Sequence, residues 1–170
     1  MPWLVSRLNM TRASLSQIDT CLKELFNNIR DHSGEEIGCI FVQHYPKNDQ
    51  VIFSISDFGV GIPKTISRAR TFPDDGSAIL FACQDGASAK SIKTNMGFGL
   101  HFLIQNVVGL NGGRLHIHSG HGRVSCYAED GNERRVVEPT SGFYPGTFVE
   151  IRMRTDTIES VEDEREDLEW

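Results

Sequence analysis

The chain has 170 residues, 39% of them hydrophobic and 24% charged, and a formal net charge of -6. That composition excludes a disordered chain, and the length fits one ordinary globular core. No apolar run approaches the roughly 20 residues of a membrane span, and Met1 to Met10 lacks the apolar core of a secretory signal, so a cytoplasmic setting is expected.

The charge is unevenly spread. Residues 155–170 hold eight acids (Asp156, Glu159, Glu162, Asp163, Glu164, Glu166, Asp167, Glu169) against Arg165 alone, which leaves 16 bases and 15 acids in the body. The division expected is therefore a near-neutral domain over 1–154 and an acidic tail over 155–170 that is solvated by default. Neither part offers the broad basic surface that duplex nucleic acid requires, so neither nucleic acid nor a membrane is an expected partner. Cys21, Cys39, Cys83 and Cys126 form no CxxC pair, which argues against a cysteine zinc site and for scattered reduced thiols.

In chain order, Ser14 to Ser33 has a helical pattern. Ile18, Leu22, Leu25 and Ile29 fall at spacings of four, three and four, and Ser33-Gly34 supplies a stop. At about 100° per residue, Glu24, Asn28 and Asp31 form a polar stripe beside that apolar face, with His32 on its border. A solvated helix edge has the same look. The stripe could also share a hydrated Mg²⁺ between a carboxylate and an amide oxygen, or orient a water.

Ile37 to His44 and Gln50 to Asp57 are expected to form a hairpin through the turn Tyr45-Pro46-Lys47-Asn48-Asp49. The two-residue period puts Val51, Phe53, Ile55 and Asp57 on one face. Asp57 therefore points inward at the strand's C-terminal end, where an unpartnered carboxylate costs several kcal/mol. It needs donors from the protein or from a ligand. The amino group of adenine is one, where guanine presents a carbonyl. The loop Phe58-Gly59-Val60-Gly61-Ile62-Pro63 follows. Its glycines permit positive φ or close approach to a flat ring; a plain turn does as well.

Lys64 to Asn95 carries two short helical patterns, around Thr65 to Arg70 and Ala78 to Gln84, and connections this long are usually functional or mobile. Gly97-Phe98-Gly99-Leu100 then opens the strongest helix, Gly99 to Val108, with Leu100, Leu103, Ile104, Val107 and Val108 as its stripe. Glycines at a helix start let phosphates reach free N–H groups, although the third glycine of a dinucleotide fingerprint and the GK[ST] of a P-loop are missing. Strands are expected at Arg114 to Ser119, Arg123 to Ala128, Arg134 to Val137 and Thr147 to Arg154, the last behind Gly142-Phe143-Tyr144-Pro145-Gly146. The order implies an α+β two-layer sandwich: a mixed, mostly antiparallel sheet with helices on one face. His116, His118 and His121 admit a metal site geometrically, but solvated histidines give the same pattern.

Each motif is weak alone. Together, and in this order, Glu24-Leu25-x-x-Asn28, Asp57-x-Gly59-x-Gly61, Gly97-x-Gly99-Leu100 and Gly146-Thr147 resemble the GHKL, or Bergerat-fold, ATPase superfamily over about Leu15 to Met153. That group includes histidine kinase catalytic domains, anti-sigma-factor kinases, type II topoisomerases and heat-shock chaperone ATPases. The resemblance implies ATP and Mg²⁺ as cofactors. It casts Asn28 as the Mg²⁺ ligand, Glu24 as the acid that polarises water or supports the phosphate site, and Asp31 and His32 as neighbours in that box. Asp57 becomes the adenine reader, Gly59, Gly61 and Ile62 the adenine wall, and Gly97 to Leu100 the phosphate cradle. Thr147 would join Asp57 through a water, and Lys90 and Lys93 of the implied lid could reach the γ-phosphate.

The details divide between branches. Glu24, Asn28 and Asp31 resemble the ATPases, while the Asn28-to-His32 spacing and Gly112-Gly113-Arg114-Leu115 lean toward the kinases. No helical hairpin for a phosphorylated histidine fits before the first helix. The expectation is a kinase-type module acting on a separate protein partner. Alternatives are a nucleotide-dependent interaction switch and a small ATPase with Glu24 as base, and a homodimer stays open.

Overall fold

The computed structural model describes Asp19, Leu22, Lys23 and residues 38–86 and 99–157. Of the expected first helix, Asp19, Leu22 and Lys23 are helical, and the stripe residue Leu22 is buried in the core while Lys23 is exposed. Glu24, Asn28, Asp31, His32, Lys90, Lys93, Gly97, Phe98 and the tail from 158 lie outside the described residues.

Among the described residues six strands make one sheet: β1 (Gly38–Tyr45), β2 (Gln50–Asp57), β3 (Arg114–Gly120), β4 (Gly122–Glu129), β5 (Asn132–Val137) and β6 (Tyr144–Arg154). Their spatial order is β1-β2-β6-β3-β4-β5. The architecture is the expected α+β one, and all five pairings are antiparallel. Alternation decides the faces. Val51, Phe53 and Ile55 of β2, Leu115 and Ile117 of β3, Val124 and Cys126 of β4, and Val149 and Ile151 of β6 all turn to one side and are buried.

The helices lie over that side. The helices described in full are α1 (Ile62–Ile66), α2 (Asp75–Ala82) and α3 (Gly99–Ile104), the last continuing as π-helical turns through Gln105–Leu110. Leu103, Ile104, Val107 and Val108 complete the core. The π-helical turns are a departure from the expected plain helix. Asn111 N–H donates to Asn106 O, five residues back, and the wider turn closes the helix onto the sheet. α3 crosses the sheet, with His101 of its first turn beside Arg135 of β5 (3.3 Å) and its end pinned to β6 by Asn111.

Both short helices begin earlier than their patterns suggest. α1 starts at Ile62 because Pro63 at its first turn has φ already set for a helix. α2 starts at Asp75 because Asp74 caps it, accepting from Ser77 N–H at 2.7 Å. Its first turn lies against the β3–β4 turn, where Asp75 Oδ2 accepts from His121 N–H at 2.8 Å. A Cβ at Gly122 would stand 2.6 Å from the Asp75 carbonyl carbon, so only glycine permits that approach.

No described helix is long and apolar enough to cross a membrane.

Candidate functional site

The site is built where β2 ends, β6 begins and β3 ends. Asp57 closes β2 on the inward face and is 5% exposed, as the alternation of β2 requires. Burial raises its pKa above the ordinary 3.8, while the backbone N–H groups of Gly59 and Thr147 oppose that shift. The Gly59 N–H donates to Asp57 Oδ1 at 2.8 Å. An ionised carboxylate offers about four lone-pair positions, and two backbone donors leave part of that capacity unfilled.

The approach of β6 depends on a bulge. Ser119 pairs with Thr147 and Gly120 with Tyr144, so Pro145 and Gly146 are extra residues on β6. Gly146 has φ +94, and a Cβ there would lie 2.7 Å from Asp57 Oδ1. Glycine is therefore required both by conformation and by space. Gly61, with φ +78, stands on the other side; a Cβ on it would lie 2.7 Å from Ser119 Oγ and 3.0 Å from Gly146 O.

Ser119 holds these pieces together. It is fully buried, accepts from Ile62 N–H at 3.0 Å and donates to Gly146 O at 2.5 Å. Thr147 Oγ1 lies 3.4 Å from Ser119 Oγ, and Thr65 Oγ1 donates to Gly61 O at 2.8 Å. Ser119 was not among the expected site residues. Its signal was available: Leu115, Ile117 and Ser119 share the core face of β3, so a hydroxyl at that position must find partners inside.

The structure thus brings Asp57, Gly59, Gly61, Ile62 and Thr147 into one cradle. Gly99 and Leu100 open α3, and Leu100 is half-buried against the core. His116 and His118 lie on the face opposite the core residues Leu115 and Ile117. His116 Nδ1 meets Ser125 Oγ at 2.6 Å, and Ser125 donates to Glu138, which also pairs with Arg123 at 2.8 Å. Because Ser125 gives its proton to a carboxylate, His116 Nδ1 is the donor to it. Burial lowers the His116 pKa, and Glu138 and Glu150 partly offset this. Among the described residues no group of three His, Cys, Asp or Glu side chains could hold a metal. Cys39, Cys83 and Cys126 are free, and the Cys126 thiol and burial push that of Cys83 well up.

The family model described as histidine kinase-, DNA gyrase B-, and HSP90-like ATPase matches residues 14–156. Among solved structures, the chain is similar to the B-subunit of the DNA gyrase from Myxococcus xanthus at 11% identity and a TM-score of 0.41, over 88% of this chain and 38% of that one. No curated protein matches the chain.

Proposed function

Because the chain belongs to the histidine kinase-, DNA gyrase B- and HSP90-like ATPase family, we propose that this ATP-binding domain takes ATP with Mg²⁺ and works as a kinase-type module on a separate protein partner. The observation that carries the nucleotide reading is the Asp57 carboxylate, buried, set between Gly59 and Thr147 amides and keeping acceptor capacity for a ligand. Such a group accepts from the amino group of adenine and repels the carbonyl of guanine. Gly59, Gly61 and Ile62 would form the wall against the ring, and Thr147 would complete the contact to Asp57.

The remaining roles rest on the resemblance. Asn28 would hold the Mg²⁺, with Glu24, Asp31 and His32 around it. Gly97, Phe98, Gly99 and Leu100 would receive the phosphates, and Lys90 would reach the γ-phosphate. The metal supplies charge neutralisation when bound, and phosphoryl transfer needs chiefly that and positioning. The kinase reading draws on the Asn28-to-His32 spacing and on Gly112-Gly113-Arg114-Leu115.

Calorimetry with ATP, ADP and GTP, with and without Mg²⁺, tests the nucleotide half. ATP is expected to bind with Mg²⁺ dependence that Asn28→Ala removes, and GTP to bind far more weakly. Equal binding of ATP and GTP would take the adenine-reading role from Asp57. Labelled γ-phosphate offered to the chain with its co-purifying proteins tests the other half. Label on a partner is the expected result. Partner-free hydrolysis that Glu24→Ala abolishes would assign an ATPase instead, and binding with neither would assign a switch.

A further inference from the structure

Among the described residues the sheet has two free edges, and they are built differently. β5 is six residues long and carries Glu133, Arg134 and Arg135. Arg135 pairs with Glu133 at 2.5 Å and Arg134 with Glu129 at 3.1 Å. Charge and shortness are how proteins keep an edge from recruiting another strand. β1 has neither. Its eight residues, Gly-Cys-Ile-Phe-Val-Gln-His-Tyr, include no Asp, Glu, Lys, Arg or Pro. It is in unbroken register with β2 from Gly38 to Tyr45, so no bulge twists it away. Ile40 is 43% exposed and Phe41 59% exposed, and they point to opposite faces. Among the described residues only β2 pairs with it.

We propose that β1 is a self-association edge, on which a second copy of this chain adds its own β1 antiparallel and extends the sheet across a two-fold axis. The occupant follows from the sequence of the strand. An axis normal to the sheet passes through one residue and pairs residues of like parity. Placed at Phe41, it sets that ring against its own copy and Ile40 against Val42 of the second chain, twice by symmetry. Cys39 then meets Gln43. Apolar thus meets apolar on both faces at the centre of the junction. Moving the axis to Val42 sets Ile40 against His44 and Phe41 against Gln43, so the strand's own pattern favours an axis at its apolar centre over one shifted toward Tyr45. A charged peptide would find no counter-charge anywhere on β1.

The test is sedimentation of the full chain from roughly 1 to 100 µM, a range that brackets weak and moderate association, beside amide hydrogen exchange at both limits. The expected result is a species of twice the 19.0 kDa chain mass, with β1 amides that gain protection as concentration rises. Phe41→Lys opposes two like charges at the axis, and it is expected to weaken the dimer at least about tenfold. Phe41 is exposed, so folding should persist. Should it not, Phe41→Thr keeps a strand former and loses the ring contact. A wild-type monomer across the range overturns the proposal. So does a dimer indifferent to Phe41, and so do β1 amides protected equally at every concentration, which would mean that the chain covers this edge itself.

Discussion

Two buried polar residues mark opposite ends of the same sheet, and they differ in what they leave unspent. Asn111 is 7% exposed and Asp57 5%. Asn111 donates to Arg154 O at 2.9 Å and to Thr157 Oγ1 at 2.7 Å, and accepts from Arg154 N–H at 2.8 Å. Both its donors and its acceptor are engaged, and the result is a clamp between the end of α3 and the end of β6. Asp57 receives two backbone N–H groups, and its carboxylate can take more. A buried polar group saturated by its own chain is a structural tie. One that is buried yet unsaturated is where the fold keeps interaction energy for a ligand.

The contrast breaks first at Gly146, whose conformation belongs to the Asp57 end. Gly146→Ala forces a side chain into φ +94 and onto the Asp57 carboxylate. A loss of about 3 kcal/mol is expected in urea unfolding, from backbone strain plus displacement of packed atoms, and ATP affinity should fall with it. Asn111→Ala comes next. It strips the partner from the N–H of Arg154 and leaves its carbonyl only the longer bond from Thr157 Oγ1 at 3.3 Å, at about 2 kcal/mol for part-buried groups left short of partners. ATP affinity measured on the folded variant should stay within about twofold, since the clamp lies at the far end of β6. An Asn111→Ala protein that lost nucleotide as strongly as an Asp57 variant would erase the distinction.

Asp57→Asn should do the reverse. The amide keeps an oxygen for the Gly59 N–H but replaces an acceptor with a donor where adenine presents its amino group. Loss of a charge-assisted hydrogen bond of about 2 kcal/mol corresponds to a roughly 30-fold weaker ATP dissociation constant. Stability should move by less than about 1 kcal/mol, because no packed volume changes. Calorimetry and urea unfolding on one preparation separate the two readings.

These two ends were not equally legible in the sequence. Asp57 could be placed inside because Val51, Phe53 and Ile55 set the phase of β2, and phase is a local property. The same logic on Leu115 and Ile117 exposes Ser119, and the cap at Asp74 was equally open to reading. The Pro145–Gly146 bulge was not, because an extra residue in a ladder is defined by its partner strand, here Ser119 and Gly120 of β3. Nor was the Asn111 clamp, whose partners Arg154 and Thr157 lie more than forty positions away. The π-helical turns at Gln105–Leu110 keep the apolar spacing of an ordinary helix, so only the closing hydrogen bonds distinguish them.

The finest difference between the two ends is in titration. Burial raises the Asp57 pKa above 3.8 in the fold, so the folded state holds that proton more tightly than the unfolded chain does. The group's contribution to stability is therefore present below 3.8 and is lost as pH rises through its folded value. Stability of the parent chain, measured against Asp57→Asn by urea unfolding at a series of pH values, should fall across that window and then run level toward neutrality. ATP binding should move the opposite way, because only the ionised carboxylate accepts from adenine without first releasing a proton. Affinity should thus rise with pH through the same interval in which stability declines. Asn111 carries no titrating group, and Asn111→Ala should leave both profiles with the parent's shape. If Asp57→Asn tracked the parent through that window in both measurements, the carboxylate would be as fully satisfied by its own chain as the Asn111 amide is.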